Sequence, residues 1–259
     1  MQFPQIDPVI VQIGPFALRW YGVMYLLGFL IGFLIIRRLS ASRQLPLNKE
    51  GQSDLLFYCV LGVILGGRLG YVVFYNAAYY LQHPLQIFSV WEGGMSFHGG
   101  LLGVVVAAVL FSWRRRLPVL LLGDILVTAA ALGLGLGRVG NFINGELWGR
   151  ITSVPWGMVF PAAGPEPRHP SQLYEATLEG PVLFAILWWL HKRQAPHGVP
   201  FFSFFLLYGG FRFLVEFFRQ PDAHLGFLWA GATMGQLLCL PMMIIGLVGI
   251  LLCRRKGEA

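Results

Sequence analysis

The chain has 259 residues, of which 56% are hydrophobic and only 12% are charged, and its formal net charge is +7. A soluble domain usually has about twice that charged fraction, so the composition excludes an ordinary soluble protein and favours a membrane protein. The basic residues stand in short groups between apolar runs, which is typical of loops that orient transmembrane helices. We therefore expect no nucleic-acid partner.

Apolar runs long enough to cross a bilayer recur along the chain, since a helix needs about 20 residues for that. They cover residues 19–36, 55–75, 97–113, 118–138, 175–190, 200–217 and 233–252, and the fifth is the weakest. A backbone in hydrocarbon must satisfy its own hydrogen bonds, so each run is predicted to be a helix. The sequence predicts an all-α membrane protein, a polytopic bundle of about seven transmembrane helices in one integral membrane domain over residues 1–259.

Basic residues in alternate loops predict the orientation of the bundle, because cytoplasmic loops collect lysine and arginine. Most of them fall in such loops: Arg37, Arg38, Arg43, Lys49, Arg114, Arg115, Arg116, Lys192, Arg193, Arg254, Arg255 and Lys256. The N-terminus is then outside and the C-terminus inside. The polar segment at residues 141–172 is also outside, and its Trp and Phe content predicts a small folded periplasmic cap.

The remaining seven basic residues are arginines that orientation does not explain. Arg68, Arg138 and Arg212 lie beyond the middle of the second, fourth and sixth runs, toward the outer face. An arginine near the bilayer centre costs about 2.5 to 3.5 kcal/mol, so three at one depth predict a positive pocket for an anionic lipid. Snorkelling of each head group to the outer surface is the alternative. Asp124, near the inner end of the fourth run, does not fit this confinement of charge.

Other polar side chains reach the same level. Tyr21 opens the first run, where an ordinary interfacial aromatic is the alternative, and His98 opens the third run beside Gly99. Histidine suits proton transfer near neutrality, although a hydrogen-bonded residue at a helix start is an equal alternative. Glu216 is four residues from Arg212, so the two are expected to pair along one helix face.

Glycines near the end of the fourth run, Gly135, Gly137 and Gly140, match the GxGxxG spacing of dinucleotide-binding folds. That motif needs a preceding strand in a soluble unit, so we expect Gly133, Gly135 and Gly137 to let helices pack closely instead, with room for a lipid as the alternative. The histidines, His169 and His224 among them, are not at metal-ligand spacing, and no nucleophile elbow is present. We therefore expect neither a metal site nor a serine nucleophile.

Several segments together resemble the prolipoprotein diacylglyceryl transferase family, the bacterial enzymes that put the first lipid on lipoprotein precursors. The resemblance extends from Asp7 to the last apolar run. Its segments are Trp20–Gly22, Gly66–Arg68, Ser96–Gly100, Gly137–Glu146, Arg168–Glu175 and Arg212–Asp222. No departure from the family pattern is seen at these positions.

The resemblance implies a transferase that moves the diacylglyceryl group of phosphatidylglycerol to the lipobox cysteine thiol of prolipoproteins. A thioether forms, glycerol phosphate leaves, and no metal or organic cofactor takes part. The implied partners are phosphatidylglycerol, the prolipoprotein signal-peptide and lipobox segment, and membrane lipids. The protein is expected to be a monomer in the bacterial cytoplasmic (inner) membrane, with its active site toward the periplasmic leaflet.

The family chemistry gives roles to the residues. His98 is the candidate general base for the thiol, with an arginine-activated water as the alternative. Arg138 and Arg212 are expected to hold the phosphate and stabilise the charge that it gains. The residues expected to bind or position the lipid are Tyr21, Arg68, Gly99, Asn141, Asn144, Glu146, Gly149, Glu216 and Arg219.

Two other functions remain open at this point. A transporter or flippase for an anionic lipid would also place arginines within helices, but it needs a polar path to both faces. A non-catalytic lipid-binding scaffold would not require His98. Loss of transfer with retained phosphatidylglycerol binding in His98→Gln would separate an enzyme from both.

Overall fold

The structure is a computed structural model that describes residues 1–14, 16–89, 93–221 and 231–258. The chain divides into two compact units, the first made of Met1–Leu39 and Asp124–Ala259 and the second of Ser40–Gly123. Asp222 and His224, which the sequence analysis names, lie outside the described residues.

Helices account for most of both units. In chain order they are α1 (Trp20–Ser42), α2 (Lys49–Tyr75), α3 (Ala77–Gln82), α4 (Phe97–Arg115), α5 (Val119–Ile143), α6 (Ser171–Thr177), α7 (Leu183–Lys192), α8 (Val199–Val215) and α9 (Met234–Glu258). Within the described residues, five helices are long and apolar enough to cross a membrane, namely α1, α2, α4, α5 and α9, and α8 is a shorter apolar helix. The prediction of an all-α multi-pass membrane protein is confirmed, while the count of seven spans and the orientation stay predictions.

The weak fifth run is an interrupted helix. A π-helical turn, Leu178–Val182, joins α6 to α7, and Gly180 within it has the non-helical angles φ −96° and ψ −106°. Pro181 follows directly, and a proline removes one backbone donor and clashes with the preceding turn, which breaks regular helix geometry. The interruption places two acidic residues, Glu175 and Glu179, inside the first unit with 2% and 0% exposure.

The core of the first unit joins α5, α7 and α8. Ala131, Leu183 and Leu187 are fully buried there and pack against Phe204 and Phe211. Close backbone approach holds α5 against the π-helical turn, because a Cβ added at Gly135 would lie 2.8 Å from the Cα of Gly180. The expectation that the glycines of this run serve helix packing is therefore met at Gly135.

Asp124, on α5, caps the N-terminus of α8. The side chain is fully buried, and its two oxygens accept from the backbone N–H groups of Gly198 (2.9 Å) and Phe201 (2.8 Å). These donors lie at the N-terminus of α8, where four N–H groups lack partners within the helix. The carboxylate that did not fit the charge pattern thus caps a helix, and this role removes the reason to place Asp124 on a polar path through the membrane.

Two strands precede α1, and a folded segment connects α5 to α6. β1 (Val9–Ile13) and β2 (Phe16–Arg19) form an antiparallel pair that the sequence analysis did not anticipate. Residues 144–170, which lie within the predicted cap of residues 141–172, are here called the cap segment. They contact the N-terminal residues through a bridge between Gln2 and Val159, and the end of α8 through a bridge between Gly149 and Arg219. The cap segment therefore lies at the end of the unit where α5 finishes and α8 finishes.

In the second unit, α2 and α4 touch through their backbones. Glycines at 62, 66 and 70 of α2 face Gly99 and Gly103 of α4. A Cβ at Gly66 would lie 2.3 Å from the carbonyl oxygen of Gly99, and one at Gly103 would lie 2.0 Å from that of Gly62. No larger residue fits at these positions without moving a helix, so the glycines set the distance between α2 and α4.

Candidate functional site

Glu175 is the centre of a buried ionic cluster in the first unit. Its Oε2 lies 2.7 Å from Nε of Arg138, and its Oε1 lies 2.5 Å from Nη1 of Arg212. Arg138 stands five residues before the end of α5 and Arg212 three residues before the end of α8. Two arginines predicted to reach one depth are therefore held side by side by one carboxylate, at the end of the unit where the cap segment lies.

Glu216 is the second carboxylate that pairs with Arg212. Its Oε2 lies 2.8 Å from Nη2 of Arg212, which confirms the pairing expected from their spacing of four residues. Its Oε1 accepts a hydrogen bond of 3.0 Å from the hydroxyl of Thr233, just before α9. A Cβ at Gly235 would lie 2.9 Å from this carboxylate, so α9 approaches it closely. Both Nη groups of Arg212 are thus fixed by buried carboxylates.

The guanidinium of Arg138 is held by carboxylates at fewer positions than that of Arg212. Within the described residues its ion pairs with Glu175 and Glu179 are made by Nε, and its side chain is 21% exposed. Its two Nη groups are therefore candidates to donate to a ligand. A guanidinium edge with two N–H donors can hold two oxygens of a phosphate at once.

Six side chains make up what is here called the arginine–glutamate cluster: Arg138, Arg212, Arg219, Glu175, Glu179 and Glu216. Arg219 is at the edge of it, with Nε 3.9 Å from Oε1 of Glu175. The sequence led us to expect a positive pocket, but the three cations of the cluster are matched by three acids. Burying a charge without a partner costs several kcal/mol per ion, which explains why these arginines are paired.

Two asparagines near the end of α5 bind the carboxylate of Glu146. The side-chain N–H groups of Asn141 and Asn144 donate to Oε1 of Glu146, over 2.9 and 3.1 Å. Tyr21 packs on the same helix, since a Cβ at Gly140 would lie 2.7 Å from its ring. Tyr21 is also within electrostatic range of both Glu146 and Arg138. The structure therefore brings the predicted residues of α1 and α5 into one neighbourhood.

Gly149 occupies a crossing of three backbone segments. A Cβ there would lie 2.5 Å from the carbonyl oxygen of Phe218 and 2.6 Å from that of His169. The neighbouring Arg150 donates from Nε to the carbonyl oxygen of Arg219, over 2.9 Å. Gly149 thus lets the cap segment pack against the end of α8, next to the arginine–glutamate cluster.

His169 lies at that crossing too, outside the membrane-spanning helices. Its ring makes edge contacts with Tyr174 and Phe218. Partial burial lowers the pKa of the imidazole below its ordinary value, because a charged ring would lose hydration. The neutral form of His169 therefore suits the folded cap segment.

Arg68 belongs to the second unit, and its guanidinium binds backbone. Nε and both Nη groups donate to the carbonyl oxygens of Ile87 (2.8 Å), Gly93 (2.6 Å), Gly94 (3.3 Å) and Gln86 (2.6 Å). The side chain is buried, with 4% exposure. Arg68 therefore fixes the segment after α3, and its expected role toward the lipid stays a prediction.

His98 is exposed in the first turn of α4. The hydrogen bond that caps this helix comes from Ser96, whose hydroxyl accepts from the N–H of Gly99 over 3.2 Å. Ser96 therefore meets the need for a polar residue at the helix start, and His98 is not required there. Gly99 packs against α2, as its close approach to Gly66 requires.

Glu175 and Glu179 are the site residues that the sequence analysis missed. Glu175 ends a segment that carries the family resemblance but was given no role, and Glu179 was not considered. Two signals were present. An acid inside an apolar run needs a partner, and acids four residues apart lie on one helix face.

The chemistry available to this arrangement is anion binding. In the part of the chain that the structure describes, no group of three His, Cys, Asp or Glu side chains could hold a metal ion. Two guanidiniums fixed by shared carboxylates in a buried setting form a preorganised site for a group that gains negative charge. A phosphate ester at Arg138 is the ligand that fits this description.

Comparison with known proteins extends over the whole chain. A family model described as prolipoprotein diacylglyceryl transferase matches residues 8–252. The chain is 57% identical over 257 residues to the phosphatidylglycerol–prolipoprotein diacylglyceryl transferase of Geobacter sulfurreducens, covering 99% of each. It is 55% identical over 248 residues to the protein of that name from Bordetella parapertussis, covering 95% of each, and 52% identical over 256 residues to that from Pseudoalteromonas translucida. Every residue of the arginine–glutamate cluster lies within the matched range.

Proposed function

The chain belongs to the prolipoprotein diacylglyceryl transferase family, and from this premise we propose that it transfers the diacylglyceryl group of phosphatidylglycerol to the lipobox cysteine of prolipoproteins. The protein is then an enzyme of the first step of lipoprotein maturation. The observation that carries this proposal is the arginine pair that Glu175 holds, with the Nη groups of Arg138 left for a phosphate.

The reaction replaces a C–O bond by a C–S bond. The thiolate sulfur attacks the glyceryl carbon that bears the phosphate ester, and the electron pair of the broken C–O bond stays on the phosphate oxygen. Glycerol phosphate leaves with one more negative charge than the diester had. Arg138 and Arg212 stabilise that added charge, since fixed donors act most strongly where charge develops in a buried site.

The thiol must lose its proton before or during the attack, because the thiolate is the nucleophile. We assign this step to His98, whose exposed imidazole at the start of α4 is free of the capping role that Ser96 fills. A positioned general base contributes about 100-fold to 10,000-fold in rate. An arginine-activated water is the alternative acceptor of this proton.

The other predicted residues position the lipid in this proposal. Tyr21, Asn141, Asn144 and Glu146 form a polar rim at the end of α5. Glu216 holds Arg212, Arg219 extends the cluster, and Gly149 lets the cap segment lie beside it. For Gly99 and Arg68, which lie in the second unit, this role stays a prediction.

The setting of the reaction follows from its substrates. We place the protein in the bacterial inner membrane as a monomer, with the arginine–glutamate cluster toward the outer leaflet, where lipid and exported precursor meet. The concentration of basic residues in alternate loops supports this orientation.

A reconstituted assay tests the proposal. Purified protein, phosphatidylglycerol and a lipobox peptide are incubated, and mass spectrometry is used to look for a diacylglyceryl adduct on the peptide cysteine. We expect the adduct with wild-type protein, loss of the adduct but retained lipid binding in His98→Gln, and weaker binding and turnover in Arg138→Ala. Lipid movement across vesicles without any adduct would instead support a flippase and reject the transferase.

A further inference from the structure

The π-helical turn after α6 carries a carboxyl group that the reaction described above does not use. Glu179 is the second residue of that turn, and its side chain has 0% exposure. Its Oε2 lies 3.4 Å from Nε of Arg138. Turns of this kind insert an extra residue into a helix and recur at functional sites, because they re-aim side chains.

The other oxygen of Glu179 has no hydrogen-bond partner among the residues that the structure describes. A buried carboxylate with an unsatisfied oxygen is costly, and a protonated carboxyl group is not penalised in the same way. Glu179 therefore differs from Glu175, whose two oxygens both contact arginines.

The net charge of the arginine–glutamate cluster determines what an arriving anion does to Glu179. With all groups ionised, the three arginines and three glutamates of the described cluster cancel. A phosphodiester placed on Arg138 adds one negative charge beside Glu179. Two anions on one cation in a buried setting repel, and a proton on one of them removes the repulsion.

We propose that Glu179 takes up one proton when the lipid phosphate binds to Arg138, so that lipid binding and protonation are coupled. The proton comes from solvent and adds to the carboxylate oxygen that lacks a partner, and no other bond changes. The neutral carboxyl of Glu179 then no longer opposes a phosphate on the Nη groups of Arg138. Glu179 is on this account a positioning residue that acts through Arg138, and the inference rests on the proposed function only for the identity of the anion.

The groups that face Glu179 come from three elements. Arg138 of α5 and Arg212 of α8 bring positive charge close to it, and Glu175 of α6 brings negative charge. Tyr208 of α8 also interacts with it electrostatically. Gly135 packs on the same turn and brings no charge. The arriving phosphate is thus the change that shifts the balance toward the protonated carboxyl.

The test measures lipid binding without turnover. The dissociation constant of dioleoylphosphatidylglycerol is measured in detergent micelles from pH 5.5 to 8.5, with no lipobox peptide, for wild type, Glu179→Gln, Glu179→Asp and Glu166→Gln. Glu166 is exposed in the cap segment, so its substitution removes the same charge elsewhere. The series is repeated in a His98→Gln background, which removes that histidine as a source of pH dependence.

Coupling to one proton weakens wild-type binding as pH rises, by up to about tenfold per pH unit. We expect Glu179→Gln to bind with the same affinity across the range, and Glu179→Asp and Glu166→Gln to keep the wild-type slope. Calorimetry of the wild type in buffers of different ionisation enthalpy should give close to one proton taken up per lipid.

Three results would overturn the inference. These are a wild-type affinity that does not change with pH, a Glu179→Gln variant that keeps the wild-type slope, and calorimetry that gives no proton uptake. The calorimetric measurement needs no variant, so absence of proton uptake would overturn the inference even if Glu179→Gln does not fold. Because no peptide is present, failure of diacylglyceryl transfer would reject the proposed function and leave this test standing, and the reverse also holds.

Discussion

Replacement of Glu175 by glutamine is the sharpest perturbation of the arginine pair. The substitution keeps the size of the side chain but turns one accepting oxygen into an NH2 donor. In the wild type, Oε2 of Glu175 forms an ion pair with Arg138 over 2.7 Å, and Oε1 accepts from Arg212 over 2.5 Å. A glutamine amide has only one oxygen, so one arginine faces an NH2 donor there and keeps only its second carboxylate, Glu179 for Arg138 or Glu216 for Arg212.

The magnitude follows from the burial of the pair. Glu175 is 2% exposed, and removing one partner of a buried ion pair costs about 3–5 kcal/mol. If about 3 kcal/mol of this is lost from the transition state, kcat/KM falls by roughly a hundredfold. A displaced arginine alone costs about as much, since 1 Å of misplacement can reduce a rate about a hundredfold.

The assay is diacylglyceryl transfer to a lipobox peptide, measured by mass spectrometry over a range of phosphatidylglycerol concentrations. Glu166→Gln serves as the matched control, because it removes the same charge from an exposed position. Circular dichroism confirms that both variants remain helical. A folded Glu175→Gln protein with kcat/KM within twofold of wild type would refute the claim that this carboxylate holds the two arginines in the position that transfer requires.

Three further predictions concern the fold around the site. Asp124→Ala leaves the N–H groups of Gly198 and Phe201 without a partner, and chemical denaturation should show a free energy of unfolding lower by about 3 kcal/mol; an unchanged value would contradict the cap. Arg68→Lys cannot serve four carbonyl oxygens, so amide hydrogen exchange after α3 should accelerate; wild-type exchange would argue against the clamp. Burial lowers the pKa of His169 from 6.5, so its contribution to stability is complete above about pH 6.5 and is lost as pH falls toward the folded pKa. Thermal denaturation at pH 7.5 and 5.0 should therefore show an acid-induced loss that His169→Asn reduces, and an equal loss in both proteins would contradict this assignment.

The arginines of the site could be predicted because charge inside an apolar run is visible in the sequence. Arg138 and Arg212 are expensive in hydrocarbon, so their presence alone indicated a function. Their partners were harder to find. Glu175 and Glu179 lie in the weakest apolar run, where the Gly180–Pro181 interruption hides the helical pattern. Polar residues at the start of that run obscured both the span and its acids.

Other features depend on contacts between distant parts of the chain. Nothing in the local sequence of Arg68 indicates that its guanidinium binds the carbonyl oxygens of Gln86, Ile87, Gly93 and Gly94. Asp124 caps a helix that begins 75 residues later, at Val199. Gly99, predicted to bind or position the lipid, packs closely on α2 in the structure. Spacing of small residues at 62, 66 and 70 was the available sign of that packing.

The central claim is that the lipid phosphate binds to the arginine pair held by Glu175. An experimental structure of the protein with phosphatidylglycerol bound tests it most directly. The account predicts phosphate oxygens within about 3 Å of the Nη groups of Arg138, with Glu175 still between the two arginines. A phosphate bound elsewhere, with Arg138 in contact with carboxylates alone, would contradict it.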